Sequence, residues 1–344
     1  MKYRFLGSSG IRVSEICFGV MTFGGTGKWK QMGSQNLQQA KELVDIAYDR
    51  GVNFFDTADV YSEGESEKIL GQALKGKRKN TIIATKCGFR MNPDPNGDGL
   101  SRKRIIEACE ASLKRLGTDY IDLYQIHSYD FVTPLQETLG TLDLLVKQGK
   151  IRYIGCSNFT GWQLIKAISI CDIFSWEKFV SLQAYYSLVG RDLELELVPA
   201  CLDQGLGILP WGPLHGGFLT GKYRSNRWPE GTRIRSMEDL LPLDIEKGYR
   251  IIDTCLRISE KRRVSVPQIA LNYLLRKTGV TSVVIGARTK QQLLDDLAAC
   301  DWELSVEEMD ELNKVSAPPK IYPIWYFDIF RKDRLNRDMI NPCE

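Results

Sequence analysis

The chain has little of what several chemistries require. Only two histidines, His127 and His215, occur in 344 residues, which largely excludes His-rich metal sites. No Cys-x-x-Cys pair exists. The nine cysteines (Cys17, Cys87, Cys109, Cys156, Cys171, Cys201, Cys255, Cys300 and Cys343) are odd in number and scattered. A disulfide framework or a zinc knuckle is therefore not expected, and no metal is. No run of 18 apolar residues occurs, so no membrane-spanning helix is expected. The opening MKYRFLGSSGIRVSEI lacks an apolar core of signal-peptide length, and the absence of any address favours the cytoplasm. Charge of one sign is missing too. The 46 Lys and Arg nearly cancel the 43 Asp and Glu, leaving +3 and no electrostatic case for a nucleic-acid or membrane partner. Finally, no Gly-x-Gly-x-x-Gly joins a strand to a helix, which argues against a Rossmann domain. The GGTGK at 24–28 is not a phosphate loop, because Thr22 stands where the first Gly belongs and Trp29 follows Lys28.

What is present is an ordinary soluble composition, 43% hydrophobic and 26% charged. Length alone suggests two domains, but barrels run from about 200 to over 400 residues as one unit. Eight short, continuous apolar runs have strand character: 16–19, 53–57, 81–86, 121–127, 151–157, 180–184, 206–211 and 282–286. Continuous rather than alternating runs suit strands buried on both faces. Helical patterns lie between them. Residues 35–50 end at Gly51, Ser101 caps 102–116 before Gly117, 134–148 precede Gly149, and another helix starts at Gly161. Strand, helix, Gly, strand repeated eight times predicts an α/β fold, a closed (β/α)8 TIM barrel with right-handed crossovers. Three pieces fall outside the repeat. Residues 3–7 and 12–14 read as a hairpin plugging the barrel bottom. Residues 221–262 are an insertion containing a helix near 245–261. Residues 316–344 are an aromatic and then charged tail, so the barrel domain is 1–315.

In a barrel, polar residues at the strand C-termini face the active site. The second strand ends in Asp56 with Tyr61 in the loop beyond, the third in Lys86 and the fourth in His127. Each has a plainer role alone: a loop anchor, a solvated charge, surface packing, a hydrogen-bonded core imidazole. Together they make one device. A phenol of pKa near 10 is too weak an acid at neutral pH, and a neighbouring ammonium lowers that value. Asp56 would keep Lys86 charged, and His127 would orient a carbonyl. This is general acid catalysis without a metal or covalent nucleophile. A Schiff-base aldolase using Lys86 needs a neutral amine, which Asp56 opposes.

The runs NFFDTADVYSEGESEKILGQAL, IIATKCG, YIDLYQIHS and IRYIGCSNF resemble the aldo-keto reductase superfamily. So do the opening LGSSGIRVSEICFGVMTFG and the segments WGPLHGGFLTGKY and VVIGARTKQQLLDDL, and the resemblance covers about 3–315. It implies hydride transfer between a nicotinamide cofactor, usually NADP(H) rather than NAD(H), and a carbonyl or alcohol, sugar-derived ones included. It makes Tyr61 the general acid/base, tuned by Lys86 and Asp56, with His127 orienting the carbonyl. Gly19, Met21, Thr22 and Asp56 would lie on the ribose–nicotinamide side. Ser157, Asn158 and Gln183 would hold the carboxamide, since an amide both donates and accepts. Trp211 stands where the family usually has a stacking Tyr. Gly212, Pro213, Leu214, Gly217, Leu219 and Lys222 match the loop that wraps the pyrophosphate, with Gly212 in place of a common Ser. Gly286, Arg288, Gln292 and Asp296 match the adenosine-phosphate region. Arg288 suits a phosphate through its fork of donors. Asp296 replaces an Asn facing adenine, and an ionised Asp cannot donate. The alternative is a regulatory cofactor-binding subunit, since the potassium-channel β subunits resemble this family. The tail's apolar cluster (Ile321, Tyr322, Ile324, Trp325, Tyr326, Phe327, Ile329 and Phe330) has three open destinations: the barrel flank, the pocket mouth or another subunit.

Overall fold

The computed structural model describes residues 1–29, 32–223 and 241–327. The hairpin forms as expected: β1 (Tyr3–Phe5) pairs antiparallel with β2 (Arg12–Ser14). Eight parallel strands follow. They are β3 (Ile16–Gly19), β4 (Phe54–Asp56), β5 (Ile82–Cys87), β6 (Ile121–Ile126), β7 (Ile151–Ser157), β8 (Phe179–Tyr185), β9 (Gly207–Trp211) and β10 (Val283–Ile285). Every apolar run of the sequence becomes one of them, in the order β10-β3-β4-β5-β6-β7-β8-β9. The two ends of the sheet meet where Ile208 N–H binds Gly279 O at 2.9 Å and Thr281 N–H binds Ile208 O at 2.9 Å. The fold is a (β/α)8 TIM barrel.

The helices between the strands begin and end where local chemistry dictates. In α1 (Leu37–Asp49) the Asn36 side chain accepts from Gln39 N–H while Gln39 caps Asn36 in return. α2 (Glu65–Ala73) follows β4. α3 (Arg102–Leu116) is capped by Ser101 and closed by Gly117 at φ 64°, both as read from sequence. α4 (Leu135–Lys147), α5 (Gly161–Phe174) and α6 (Leu197–Gln204) continue the alternation. α7 (Ile245–Arg262) is the insertion helix, and residues 224–240 before it lie outside the described residues. α8 (Val266–Leu275) with its N-terminal Pro267, α9 (Lys290–Leu297) and α10 (Val306–Val315) complete the chain of helices. Among the described residues no helix is long and apolar enough to cross a membrane.

Two cores divide the apolar side chains. The large one lies between barrel and helices. The small one fills the barrel from below: Leu6 and Val13 of the hairpin meet Cys17, Phe54, Ile82, Ala84, Leu123 and Leu209. The hairpin is thus a plug. Strand side chains alternate between faces, so Phe54, Ala84 and Leu123 in this core place Asp56, Lys86 and Gln125 one step higher in the same interior. The floor is apolar, and the next layer up is polar and charged. That ordering positions the site.

Candidate active site at the strand ends

Lys86 is wholly buried, and its ammonium has three partners. Nζ donates to Asp56 Oδ1 at 2.5 Å, to Thr57 O at 2.8 Å and towards Tyr61 OH at 3.4 Å. Burial opposes the charge, but the Asp56 carboxylate and Tyr61 outweigh it and hold the amine above the ordinary lysine range. A Schiff-base nucleophile must lose that proton, so the geometry gives the aldolase reading no support. Lys86 Nζ also lies 4.9 Å from the Tyr61 ring centroid.

Tyr61 starts a 3-10 turn, Tyr61–Gly64, in which Ser62 (φ 50°) and Glu63 (φ 59°) are left-handed. Such residues are strained unless the surroundings hold them. Ser62 supplies the hold. Its Oγ donates to Phe23 O at 2.9 Å and accepts from Gly25 N–H at 3.0 Å, and its carbonyl accepts from Thr26 Oγ1 at 2.7 Å. The turn is therefore clamped to the loop after β3. Trp29 meets the phenol ring edge-on at 5.2 Å and His127 at 5.6 Å.

His127 follows β6 and is buried, with Phe89 against its ring at 4.4 Å. Burial and then the Lys86 charge push its pKa far below the usual histidine range, so it is neutral at working pH. Its Nδ1 is buried without a partner. A bare acceptor nitrogen costs less there than a stranded N–H donor, so the favoured tautomer carries hydrogen on Nε2. The structure brings the whole predicted quartet together.

Around it stand most of the residues expected at the cofactor. Trp211 donates from Nε1 to Asn158 Oδ1 at 3.0 Å, and Asn158 Nδ2 donates to His127 O at 2.9 Å. Asn158 is thus a bridge between the ends of β6 and β9, and it takes φ 56° to be one. Ser157 and Gln183 are register partners on β7 and β8, both buried. Gln183 Nε2 is directed not outwards but at Asp56 Oδ2, at 2.9 Å. Gly19 pairs with Asp56 across β3 and β4. Met21 is half-buried, and Thr22 Oγ1 is buried with no partner. After β9 the chain turns through Gly212 (φ 65°), Gly216 (φ 62°) and Gly217 (φ 103°), conformations that side chains resist. Leu219 is an adjustment to expectation. Its side chain lies wholly in the large core, so it offers a ligand backbone only. Pro213 is buried, Leu214 half-buried and Lys222 exposed.

Beyond β10, Gly286, Arg288 and Gln292 are exposed, and Arg288 N–H donates to Gln292 Oε1 at 2.9 Å. Asp296 is buried on α9. Burial first, and then Asp295, push its carboxyl up to about 7. A carboxylic acid of that strength is partly protonated near neutral pH and then donates, as an Asn would. Two polar residues of the region escaped the sequence reading. Ser62 gave no signal because serine rarely takes positive φ. Gln125 had one: it lies two residues before His127, on the same strand face.

A sequence model of the aldo/keto reductase family matches residues 15–317. The chain belongs to the aldo/keto reductase family. It is 34% identical to a versiconal hemiacetal acetate reductase of Aspergillus parasiticus, across 94% of this chain and 99% of that protein. It is 33% identical to a putative aryl-alcohol dehydrogenase of Schizosaccharomyces pombe, across 93% and 97%. A probable voltage-gated potassium channel subunit beta of Arabidopsis thaliana is 33% identical, across 88% and 92%. The family supports an oxidoreductase of small carbonyl compounds that uses a nicotinamide cofactor. The donor set suits that group: amide side chains at Asn158 and Gln183 and an indole at Trp211 are bonded to the quartet or to one another, and the loops after β3 and β9 add the unpaired hydroxyl of Thr22 and a glycine-rich turn.

Proposed function

We propose that this aldo/keto reductase is a cytoplasmic enzyme that interconverts aldehydes or ketones and alcohols with NADP(H), using Tyr61 as the general acid/base. The observation that carries the reading is the Lys86 ammonium, clamped between the Asp56 carboxylate and the Tyr61 hydroxyl. At an effective dielectric of about 20, a unit charge at this separation favours a phenolate by about 5 kcal/mol. The Asp56 charge cancels part of that. The remainder favours the phenolate without a metal.

The cofactor, when bound, supplies the hydride. Asn158, Gln183, Ser157 and Trp211 would hold its nicotinamide end. The turn at Gly212, Pro213, Leu214, Gly217, Leu219 and Lys222 would hold the pyrophosphate. Gly286, Arg288, Gln292 and Asp296 would hold the adenosine phosphate. The chain's own residues do the rest. Neutral His127 donates from Nε2 to the carbonyl oxygen and aims it at Tyr61. Tyr61 gives its proton to the oxygen as negative charge develops there. Lys86 stabilises the phenolate left behind, and Asp56 keeps Lys86 in place. Trp29 and Phe89 border this spot and favour flat or apolar substrates. The names reductase and aryl-alcohol dehydrogenase borne by two relatives agree with this chemistry.

The test is NADPH consumption with a panel of aryl aldehydes, ketones and sugar-derived carbonyls. Turnover of members of the panel, lost in Tyr61→Phe, supports the proposal. Tight NADPH binding with no turnover of any of them would favour the second reading. That reading is a regulatory subunit, suggested by the relatives named as potassium channel subunits.

A further inference from the structure

Asp56 is held by more than Lys86. Gln125 Nε2 donates to Asp56 Oδ2 at 3.0 Å, and Gln183 Nε2 donates to the same oxygen. A carboxylate only accepts, so each amide must present its NH2 there, and the orientation of Gln125 follows from chemistry. Its Oε1 is then left buried without a hydrogen-bond partner. Such an atom costs stability. A side chain serving packing alone would be apolar at this height, directly above Phe54, Ala84 and Leu123. The neighbouring strand also makes room for it. Gln125 is the register partner of Lys86 on one side and of Gly155 on the other. A Cβ on Gly155 would lie 3.3 Å from Gln125 Cγ and 2.7 Å from Ser181 Oγ.

We propose that Gln125 is a positioning residue, which fixes the Asp56 carboxylate from inside the barrel and so sets how much of the Lys86 charge reaches the Tyr61 phenol. This rests on the reading of Tyr61 as proton donor. Gln183 stands where a nicotinamide carboxamide is expected, so its amide has a second claimant. Gln125 has none, and it holds Asp56 whether or not Gln183 turns away. With its donor removed, Asp56 carries more uncompensated charge. More of the Lys86 field is then spent on Asp56, and the phenolate is less favoured. The titratable neighbours leave this balance undisturbed. Cys17 of β3 is pushed well above the usual thiol range by burial and then by Asp56, and His127 stays neutral. Over working pH the facing charges are those of Asp56 and Lys86.

The experiment is Gln125→Met, which keeps volume and removes the donor. Tyr61 titration is read by ultraviolet phenolate absorbance, as the difference between each protein and its Tyr61→Phe counterpart. This isolates one of 14 tyrosines. The pH profile of kcat for alcohol oxidation is measured beside it. Both should move upwards together, by roughly half to one unit. The effect should fall on kcat more than on the KM for cofactor. Gln125→Leu, which also lacks the donor, should move Tyr61 in the same direction. A folded variant with a lowered melting temperature and an unmoved Tyr61 titration would overturn the proposal, since Gln125 would then only pack. Loss of folding in both variants would contradict it too. If Tyr61→Phe itself keeps its turnover, the proton-donor reading fails, while the absorbance shift still reports whether Gln125 acts on Tyr61.

Discussion

Replacing Tyr61 with Phe removes one oxygen and little else. The ring keeps its contacts with Trp29 and His127, and the clamp through Ser62 does not involve the hydroxyl. The folded state loses the hydroxyl's contact with Lys86 Nζ at 3.4 Å. A hydrogen bond of that kind contributes about 0.5–1.5 kcal/mol to stability. The transition state loses far more. General acids contribute about 100- to 10,000-fold, or roughly 2.7–5.5 kcal/mol of barrier. The two magnitudes separate the explanations. Turnover should fall at least about 100-fold, while the melting temperature shifts only a few degrees. NADPH affinity should hold, because the phenol hydrogen serves the reacting oxygen. The assays are steady-state kinetics with a saturating aldehyde, a fluorescence titration with NADPH and a thermal melt. A variant that keeps about a third of the rate would remove Tyr61 from this role, since a general acid typically contributes at least about 100-fold. A large loss of melting temperature in step with the rate would point to a structural role instead.

Three further outcomes follow from other parts of the molecule. Arg288→Ala should reduce the preference for NADP(H) over NAD(H) by about 10- to 150-fold in affinity, the worth of a charge-assisted phosphate contact of roughly 1.5–3 kcal/mol; equal affinity for both cofactors in the parent protein would refute this. Asp296 has a folded value of about 7 against an unfolded value near 4, so its ionisation takes stability away as pH rises through that window. Asp296→Asn should therefore raise the melting temperature at about pH 8 and leave it unmoved near pH 4, and an equal gain at both would exclude ionisation of the buried carboxyl as the cause. Ile321 borders a cleft of about 430 Å³ together with Asn158, Thr160 and Tyr185, and like Tyr322, Trp325, Tyr326 and Phe327 it is exposed. Deleting residues 318–344 should change KM and substrate range with cofactor affinity intact; a folded truncation with unchanged kinetics towards small and bulky carbonyls alike would rule out a pocket role.

The parts of the fold legible in the sequence were those set by local chemistry. Continuous apolar runs marked all eight barrel strands, because strands buried on both faces need no polar alternation. Ser101 and Gly117 delimited α3 because capping is decided within four residues. The quartet was legible because barrel topology sends strand-end residues to one face. What escaped depends on contacts distant in sequence. Gln125 shares a strand face with His127, but its meaning comes from Asp56, 69 positions away, which the pairing of Lys86 with Gln125 brings close. The left-handed Ser62 is stabilised by Phe23 and Gly25 across the loop, which no local preference signals. Leu219 read as a ligand contact because its motif is a loop, yet its side chain turns into the core. Ile329, Phe330 and Cys343 fall outside the described residues.

The central claim is that this barrel moves a hydride to a carbonyl while Tyr61 supplies the proton. It is tested most directly by supplying NADPH deuterated at nicotinamide C4 with an aryl aldehyde and locating the label by mass spectrometry and NMR. The expected result is one deuterium on the carbinol carbon of the product alcohol, transferred from one face of the nicotinamide, and almost none in Tyr61→Phe. Alcohol formed without the label, or labelled at full rate in Tyr61→Phe, would contradict it.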